Sequence, residues 1–315
     1  MSRLILSRIT QSIPMLIVLS LVVFGLQALA PVDPARMALS AGGAGVALDE
    51  RDVAAKRREL GLDRSLPERY LAWWAATLRL DLGRSFMSGQ PVADLIRQRL
   101  PASLALAALA TAISIGLALP LGVLMALRPG TWLDQLVRIA TLLGTALPGF
   151  WLALLAIWLF AVTLRWVPAL GSFTPQGIIL PALVLALQPL GRLTRLVRAL
   201  MLDVLSAEYI RVARAKGLRP ATVLLRHALP NALLPVTTMI GLDIIGLIAE
   251  AAVIEWVFAW PGIGRLSVEA ALAGDLPVLM AVITMIGGLV VLINLAVDIG
   301  AGMLDPRQRE PYAHG

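Results

Sequence analysis

The hydrophobic positions of this chain run together rather than alternate. A membrane-spanning α-helix needs about 20 mostly apolar residues. Six stretches meet that length: Ile9 to Ala30, Ala102 to Leu127, Leu136 to Leu164, Ile178 to Leu200, Ala232 to Val253 and Val278 to Gly300. The pattern predicts an all-α integral membrane protein with six transmembrane helices. The first stretch has a rival reading, because Arg3 and Arg8 resemble a signal-peptide n-region and Ala28-Leu29-Ala30 a cleavage site. Its apolar run exceeds the roughly 7–15 residues of a signal h-region, and Pro31 directly follows the site. A retained helix is the expectation.

Composition agrees with the pattern. The 315 residues are 58% hydrophobic and 15% charged, with mean hydropathy +0.82, against about 45–50% apolar and about 25% charged in a soluble domain. One soluble core of this size cannot hide that surplus. With no cysteine, disulfides, thiol nucleophiles and Cys-based metal sites are excluded. His227 and His314 are the only histidines, too few for a histidine metal cage.

The positive charge is carried almost entirely by arginine. Lys56 precedes Arg57 and Lys216 precedes Gly217, so neither lysine can close a phosphate-binding loop of the form GxxxxGK[ST]. The chain is expected to hydrolyse no nucleotide and to be no enzyme. A net charge of +7 could suggest nucleic acid, but in a membrane chain the first explanation is cytoplasmic loops rich in Arg and Lys. With the N-terminus inside, the inner set is Arg3 and Arg8, Arg128 and Arg138, the eight cations from Arg192 to Arg226, then Arg307 and Arg309. The short outer loops hold only Arg165 and Arg265. Both termini are therefore expected in the cytoplasm, and no nucleic-acid partner is expected.

The long outer segment reads as a small module. After Pro67, the residues Leu71, Trp74, Ala75 and Leu78 repeat at helical spacing, a stripe for the membrane surface or for other outer loops. Ala41 to Gly45 reads as a turn. Trp73, Trp74, Trp151, Trp158 and Trp166 read as interfacial anchors or packing residues.

The segment MLDVLSAEYIRVARAKGLRPATVLLRHALPN, residues 201–231, carries the most information. Ser206 can cap a helix with Glu208 in its first turn, and Gly217 can close it in the left-handed region. Pro220 suits the first turn of a second short helix, on which Ala221, Leu224, Leu225 and Ala228 form an apolar stripe. Pro230 and Pro235 flank the start of the fifth span. Two short helices beneath the bilayer, one with an apolar stripe, need a partner: the protein's own helices, lipid or another subunit.

This spacing resembles the signature loop of binding-protein-dependent ABC importer permeases, EAA-x3-G-x9-I-x-L-P. Ala213, Gly217, Leu229 and Pro230 match it, Arg211 and Val212 replace its first two residues, and His227 stands where Ile is usual. Those departures are common in the branch that imports dipeptides, oligopeptides and nickel, where the stretch looks like YVRTARAKGL followed by RHALRNALIP. The resemblance extends along nearly the whole chain. Leu60-Gly61-Leu62-Asp63, Asp81-Leu82-Gly83-Arg84-Ser85 and Leu100-Pro101-Ala102 are similar to that branch's outer loop. Pro148 with Phe150-Trp151-Leu152, Trp166 to Ala169 with Gly171, Glu255 with Phe258, Trp260 to Gly264, Asp298 and Asp305-Pro306-Arg307 are similar to later parts of it.

The resemblance implies the type I ABC importer permease architecture, with a first transmembrane helix over 1–30, a periplasmic loop module over 31–100, a five-helix permease core over 101–305 containing a coupling loop at 201–230, and a cytoplasmic tail over 306–315. It implies a second homologous permease subunit, two cytoplasmic ATPase subunits and an extracytoplasmic substrate-binding protein. ATP and magnesium would be bound by the ATPases and no cofactor by this chain. Lys216, Leu224, Leu225 and His227 join Ala213, Gly217, Leu229 and Pro230 as candidate coupling residues. Gly217 reads as a backbone necessity, and His227 as a polar packing residue more than a ligand. Arg192, Arg195 and Arg198 read chiefly as anchors to lipid phosphates.

Asp243 and Glu250 lie seven residues apart in the fifth span, near one face. Acids in a membrane usually face a bundle interior or a wet cavity. Two readings stand: a pore lining that meets a cationic group, or a hydrogen-bonded partner on the companion subunit. The family commonly has a small residue where Glu250 stands. Glu255, Trp260, Pro261, Gly262 and Gly264 resemble an outer re-entrant loop that contacts the binding protein or gates the pore, with an ion pair from Glu255 to Arg265 as one brace. The leading expectation is a peptide importer subunit. The same machine carrying nickel or a metal chelate, and a stand-alone secondary transporter coupled through Asp243 and Glu250, remain as alternatives. No HExxH or GxSxG signature supports an intramembrane enzyme.

Overall fold

The computed structural model describes residues 2–29, 33–40, 49–168 and 174–304. The turn expected at Ala41 to Gly45, Ala30 and Pro31 of the cleavage reading, Ala169 and Gly171, Asp305-Pro306-Arg307 and the tail lie outside them, as does the side chain of Asp298. The described elements are helical. In order they are α1 (Ser2–Leu29), α2 (Pro34–Ser40), α3 (Glu50–Glu59), α4 (Leu66–Leu78), α5 (Val92–Leu127), α6 (Trp132–Ala146), α7 (Gly149–Ala156), α8 (Ile179–Ser206), α9 (Glu208–Ala215), α10 (Pro220–Thr222), α11 (Leu229–Val257), α12 (Ile263–Ala273) and α13 (Leu276–Leu304). Wider π-helical turns continue α7 through Ile157–Thr163 and α10 through Val223–Ala228.

Four of these helices contain a stretch long and apolar enough to cross a membrane: Val92–Leu127, Ile179–Ser206, Pro235–Val257 and Leu276–Val297. The expected third span is not one helix. It breaks by 108° between α6 and α7, because Pro148 forces Leu147 into extended backbone, with ψ 139°. The first apolar stretch lies in one continuous helix, α1.

The chain folds as two compact units. In the first, residues 104–260 form the main body. Here α8 packs along both α6 and α11, and it buries residues along most of its length, from Leu180 to Met201. Close approach is written in glycine: a Cβ on Gly122 would lie 2.7 Å from Val197 Cβ and 2.8 Å from the Thr194 carbonyl, and one on Gly191 2.8 Å from the Thr141 carbonyl. The core of this unit gathers Ala118, Leu193, Val197, Met201, Ile210, Val223, Ala228 and Val236.

The second unit comprises residues 9–103 and 261–291. One of its clusters joins Val92 and Ile96 to Ile263, Leu266, Val278 and Val282; the other joins Val23 and Phe24 to Met280, with Tyr70 and Trp73 against it. Asp275, buried after α12, receives the Ser85 hydroxyl at 2.5 Å and the Phe86 N–H at 3.0 Å, which ties the loop at 81–91 in place. On α4, Ser65 and Glu68 form a capping box with Pro67 at the start. Of the stripe expected at the membrane surface or against other outer loops, Trp74 is drawn inward and the leucines are not. Leu71 and Leu78 are 66% and 75% exposed, while Tyr70, Trp73 and Trp74 face α1. There the Tyr70 and Ser20 hydroxyls lie 2.7 Å apart and Trp74 Nε1 donates to both. Three hydrogen-bonding tips had to be satisfied together, and that outweighs the placement of aliphatic leucines.

Candidate functional site

The loop at 207–230 begins with a correction. Ser206 closes α8, its hydroxyl donating back to the Asp203 carbonyl at 2.8 Å, and Ala207, in extended backbone, precedes α9. On α9, Ile210 and Ala213 are buried in the first unit's core, whereas Tyr209 and Val212 are exposed. Gly217 stands at φ +74°. Its N–H bonds to the Arg214 carbonyl and that of Leu218 to the Ala213 carbonyl, at 3.0 and 3.4 Å, the two bonds of a Schellman closure.

Beyond Arg219 the expected second short helix is not separate. Pro220 starts it, but its π-helical turns run directly into α11, and Pro230 falls in the first turn of that long helix. The wider winding rotates the expected stripe. Val223 and Ala228, five residues apart, are buried, Leu224, His227 and Leu229 are half-buried, and Ala221 and Leu225 are exposed. The outward surface is therefore Tyr209, Val212, Leu218 and Leu225 among exposed Arg211, Arg214, Lys216, Arg219 and Arg226. Tyr209, Val212 and Leu218 were missed as outward candidates. The alternation on α9 of Tyr209 and Val212 with Ile210 and Ala213, each pair at i,i+3, is the signal that could have found the first two.

Within the expected fourth and fifth spans lies a polar ladder. Arg192 on α8 donates from Nε to Asp243 Oδ1 on α11 at 2.9 Å, and its terminal nitrogen reaches the same oxygen at 2.7 Å. One turn earlier, Gln188 donates to Glu250 Oε1 at 2.9 Å, and its own Oε1 lies 3.5 Å from Arg192. Asp243 is buried and its Oδ2 has no hydrogen-bond partner. Gly149, just past the break, gives Glu250 room: a Cβ there would collide with Glu250 Oε1. So Asp243 Oδ1 is held by an arginine of the same chain.

The other two arginines also turn inward instead of reaching for lipid. Arg195 donates to the Thr141 carbonyl at 3.2 Å. Arg198 grips Asp134 with two bonds of 2.8 Å, and Asp134 also receives Arg138 and the Gly130 N–H, at 3.3 and 3.0 Å. The i, i+3, i+6 spacing puts all three arginines near one face of α8, a signal the anchoring reading passed over.

At the far end of α11, Glu255, Phe258 and Trp260 are fully buried. Ala259 takes a left-handed turn at φ +53°, and the Trp260 N–H returns to the Glu255 carbonyl at 2.8 Å. Pro261 is half-buried, Gly262 and Gly264 are buried, and Gly262 leads into α12 in extended backbone. Arg265 pairs with Glu269 at 2.7 Å. Among the described residues no group of three or more His, Asp or Glu could hold a metal ion.

Residues 118–310 match the family described as "Binding-protein-dependent transport system inner membrane component", and residues 1–107 match that family's N-terminal region. This chain belongs to that family. It is 43% identical over 317 residues to a protein of Brucella abortus (strain 2308) named "Putative peptide transport system permease protein", covering 98% of this chain and 99% of the relative. It is 37% identical to the oligopeptide transport system permease protein AppB of Bacillus subtilis (strain 168), again over 98% of this chain and 99% of the relative. A chain of the MetNI methionine ABC transporter, solved in inward facing conformations, shares the fold with a TM-score of 0.59, 22% identity, and coverage of 69% of this chain and 99% of that one. The family places the protein in a membrane as a multi-pass transport component and not as an enzyme.

Proposed function

We propose that this chain is the permease subunit of an ATP-driven importer for short peptides, six helices crossing the inner membrane with both termini in the cytoplasm. It would pair with a second, homologous permease, two ATPase subunits and an external binding protein. The observation that carries the ATPase contact is the outward face of the 207–230 loop, where Tyr209, Val212, Leu218 and Leu225 stand exposed amid cations on a frame fixed by Ile210, Ala213 and Val223. An apolar patch rimmed by charge on a short, firmly seated helix is what a cleft in another subunit recognises. Buried Ala213 supports that face from behind, and the turn at Gly217 closes it. Glu255 and Trp260, being buried, fit a gate or brace better than a docking surface.

The peptide cargo rests on the names of the full-length relatives. The ladder adds a candidate along the path: Arg192 offsets Asp243, which leaves Glu250 as the surplus carboxylate for a peptide's ammonium group. The test is the whole importer in proteoliposomes with its ATPases, binding protein and a labelled tripeptide. Uptake should require ATP, and Leu225→Glu with Val212→Glu should release the ATPases during purification. Uptake without ATPases would instead establish a secondary transporter, and ATP-driven uptake of nickel but not peptide would move the cargo.

A further inference from the structure

The second unit holds an open pocket of about 300 Å³ whose walls come from α1, α4, α13 and the loops beside α4. Two arginines line it, Arg64 and Arg69, and neither is within ion-pair distance of a carboxylate among the described residues. Arg69 lies over the ring of Phe24, 5.9 Å from its centre. Asp81 is also in the wall, and its Oδ1 accepts the Gly83 N–H at 3.1 Å. Opposite in character are Phe24, Met280 and Ala281, and among them the Thr284 hydroxyl is buried with no hydrogen-bond partner. A buried hydroxyl left unpaired is costly. On its outer side α4 exposes Leu71 and Leu78, with Leu80 80% exposed just beyond, the pattern of a helix lying in a bilayer surface.

We propose that this cavity binds a glycerophospholipid of the surrounding bilayer. Arg64 and Arg69 take the phosphate, the Thr284 hydroxyl donates to a glycerol ester oxygen, and Phe24, Met280 and Ala281 line the first carbons of an acyl chain. Lipid is the occupant because three observations coincide. Two arginines with no carboxylate partner among the described residues stand in the wall beside Phe24 of the apolar helix α1, suited to a lipid phosphate. The cavity wall beyond them is apolar. The leucines on and just beyond α4 are exposed, as on a helix lying in a bilayer surface.

The test is native mass spectrometry of the whole importer purified from nanodiscs of phosphatidylglycerol. The wild type should retain bound lipid about tenfold more than Arg64→Gln/Arg69→Gln, the worth of roughly one charge-assisted contact. Thr284→Val, which keeps the shape and so guards against misfolding, should lower retention about threefold. Arg58→Gln, on α3 and outside the cavity, should retain it fully. Equal retention in all four proteins would overturn the proposal. So would displacement of the ligand by millimolar inorganic phosphate, or loss of binding-protein capture with lipid retention intact.

Discussion

Asp134 and Asp243 are both buried carboxylates held by an arginine of α8, and they are held differently. Asp134 uses both oxygens: Arg198 takes one bond to each, and Arg138 and the Gly130 N–H share Oδ2. Asp243 spends a single oxygen on Arg192, and the other is buried without a partner. A saturated pair fixes two helices to each other. A half-satisfied one leaves an acceptor for which another donor can compete. The difference separates a joint from a candidate working part within one helix.

The largest effect should come from breaking the joint. Arg198→Ala leaves Asp134 charged, buried and short of its main partner, a loss of about 3–5 kcal/mol. The melting temperature of the purified importer should fall by roughly 10 °C. Adding Asp134→Ala should recover part of that loss, because the stranded charge is then gone. An unchanged melting temperature for Arg198→Ala would mean that water reaches Asp134 and that the contrast with Asp243 fails.

Asp243→Asn should do the reverse, leaving stability and ATPase co-purification intact and lowering uptake about tenfold, equivalent to roughly 1.5 kcal/mol from one charge-assisted bond. Wild-type uptake with lowered stability would make Asp243 a second joint. Next in size is Gly149→Ala. Its new methyl pushes the flexible end of Glu250 away from Gln188, and the cost is that one hydrogen bond, about 1 kcal/mol. Uptake should drop several-fold in the wild type and be insensitive to the same change in a Glu250→Ala background, a coupling read by a double-mutant cycle.

Much of this was legible in the residues. The apolar runs located the long helices, and Gly217 with Pro220 marked the turn after α9, because those signals are local. What escaped depends on partners far apart in sequence. Nothing near Arg192 announces Asp243, 51 positions on, so its charge was assigned to lipid. The stripe on α4 left two readings open for the same reason: periodicity says that one face is apolar but not whether protein or lipid covers it. Pro148 did carry its signal, yet a count of apolar residues passes straight through a proline. The rotation of the stripe after Pro220 was hidden most deeply, since 3.6-residue spacing was assumed where the helix hydrogen-bonds from i to i+5 and winds more widely.

Arg195 offers the smallest and sharpest test of the comparison. It sits on α8 between Arg192 and Arg198, and its described partners are neutral: the Thr141 carbonyl and, at 3.5 Å, the Thr145 hydroxyl. Thr145 bonds within its own helix as well, to the Thr141 carbonyl at 3.0 Å. Removing the guanidinium therefore strands no buried charge, and the backbone it leaves remains hydrogen-bonded inside α6. Arg195→Gln, which can still donate one bond, should cost about 1 kcal/mol or less and change uptake less than twofold. If uptake instead falls as far as in Asp243→Asn, the positive charge itself matters at this depth. The working part would then extend along the whole arginine row, and the line drawn between Arg192 and Arg198 would have to move.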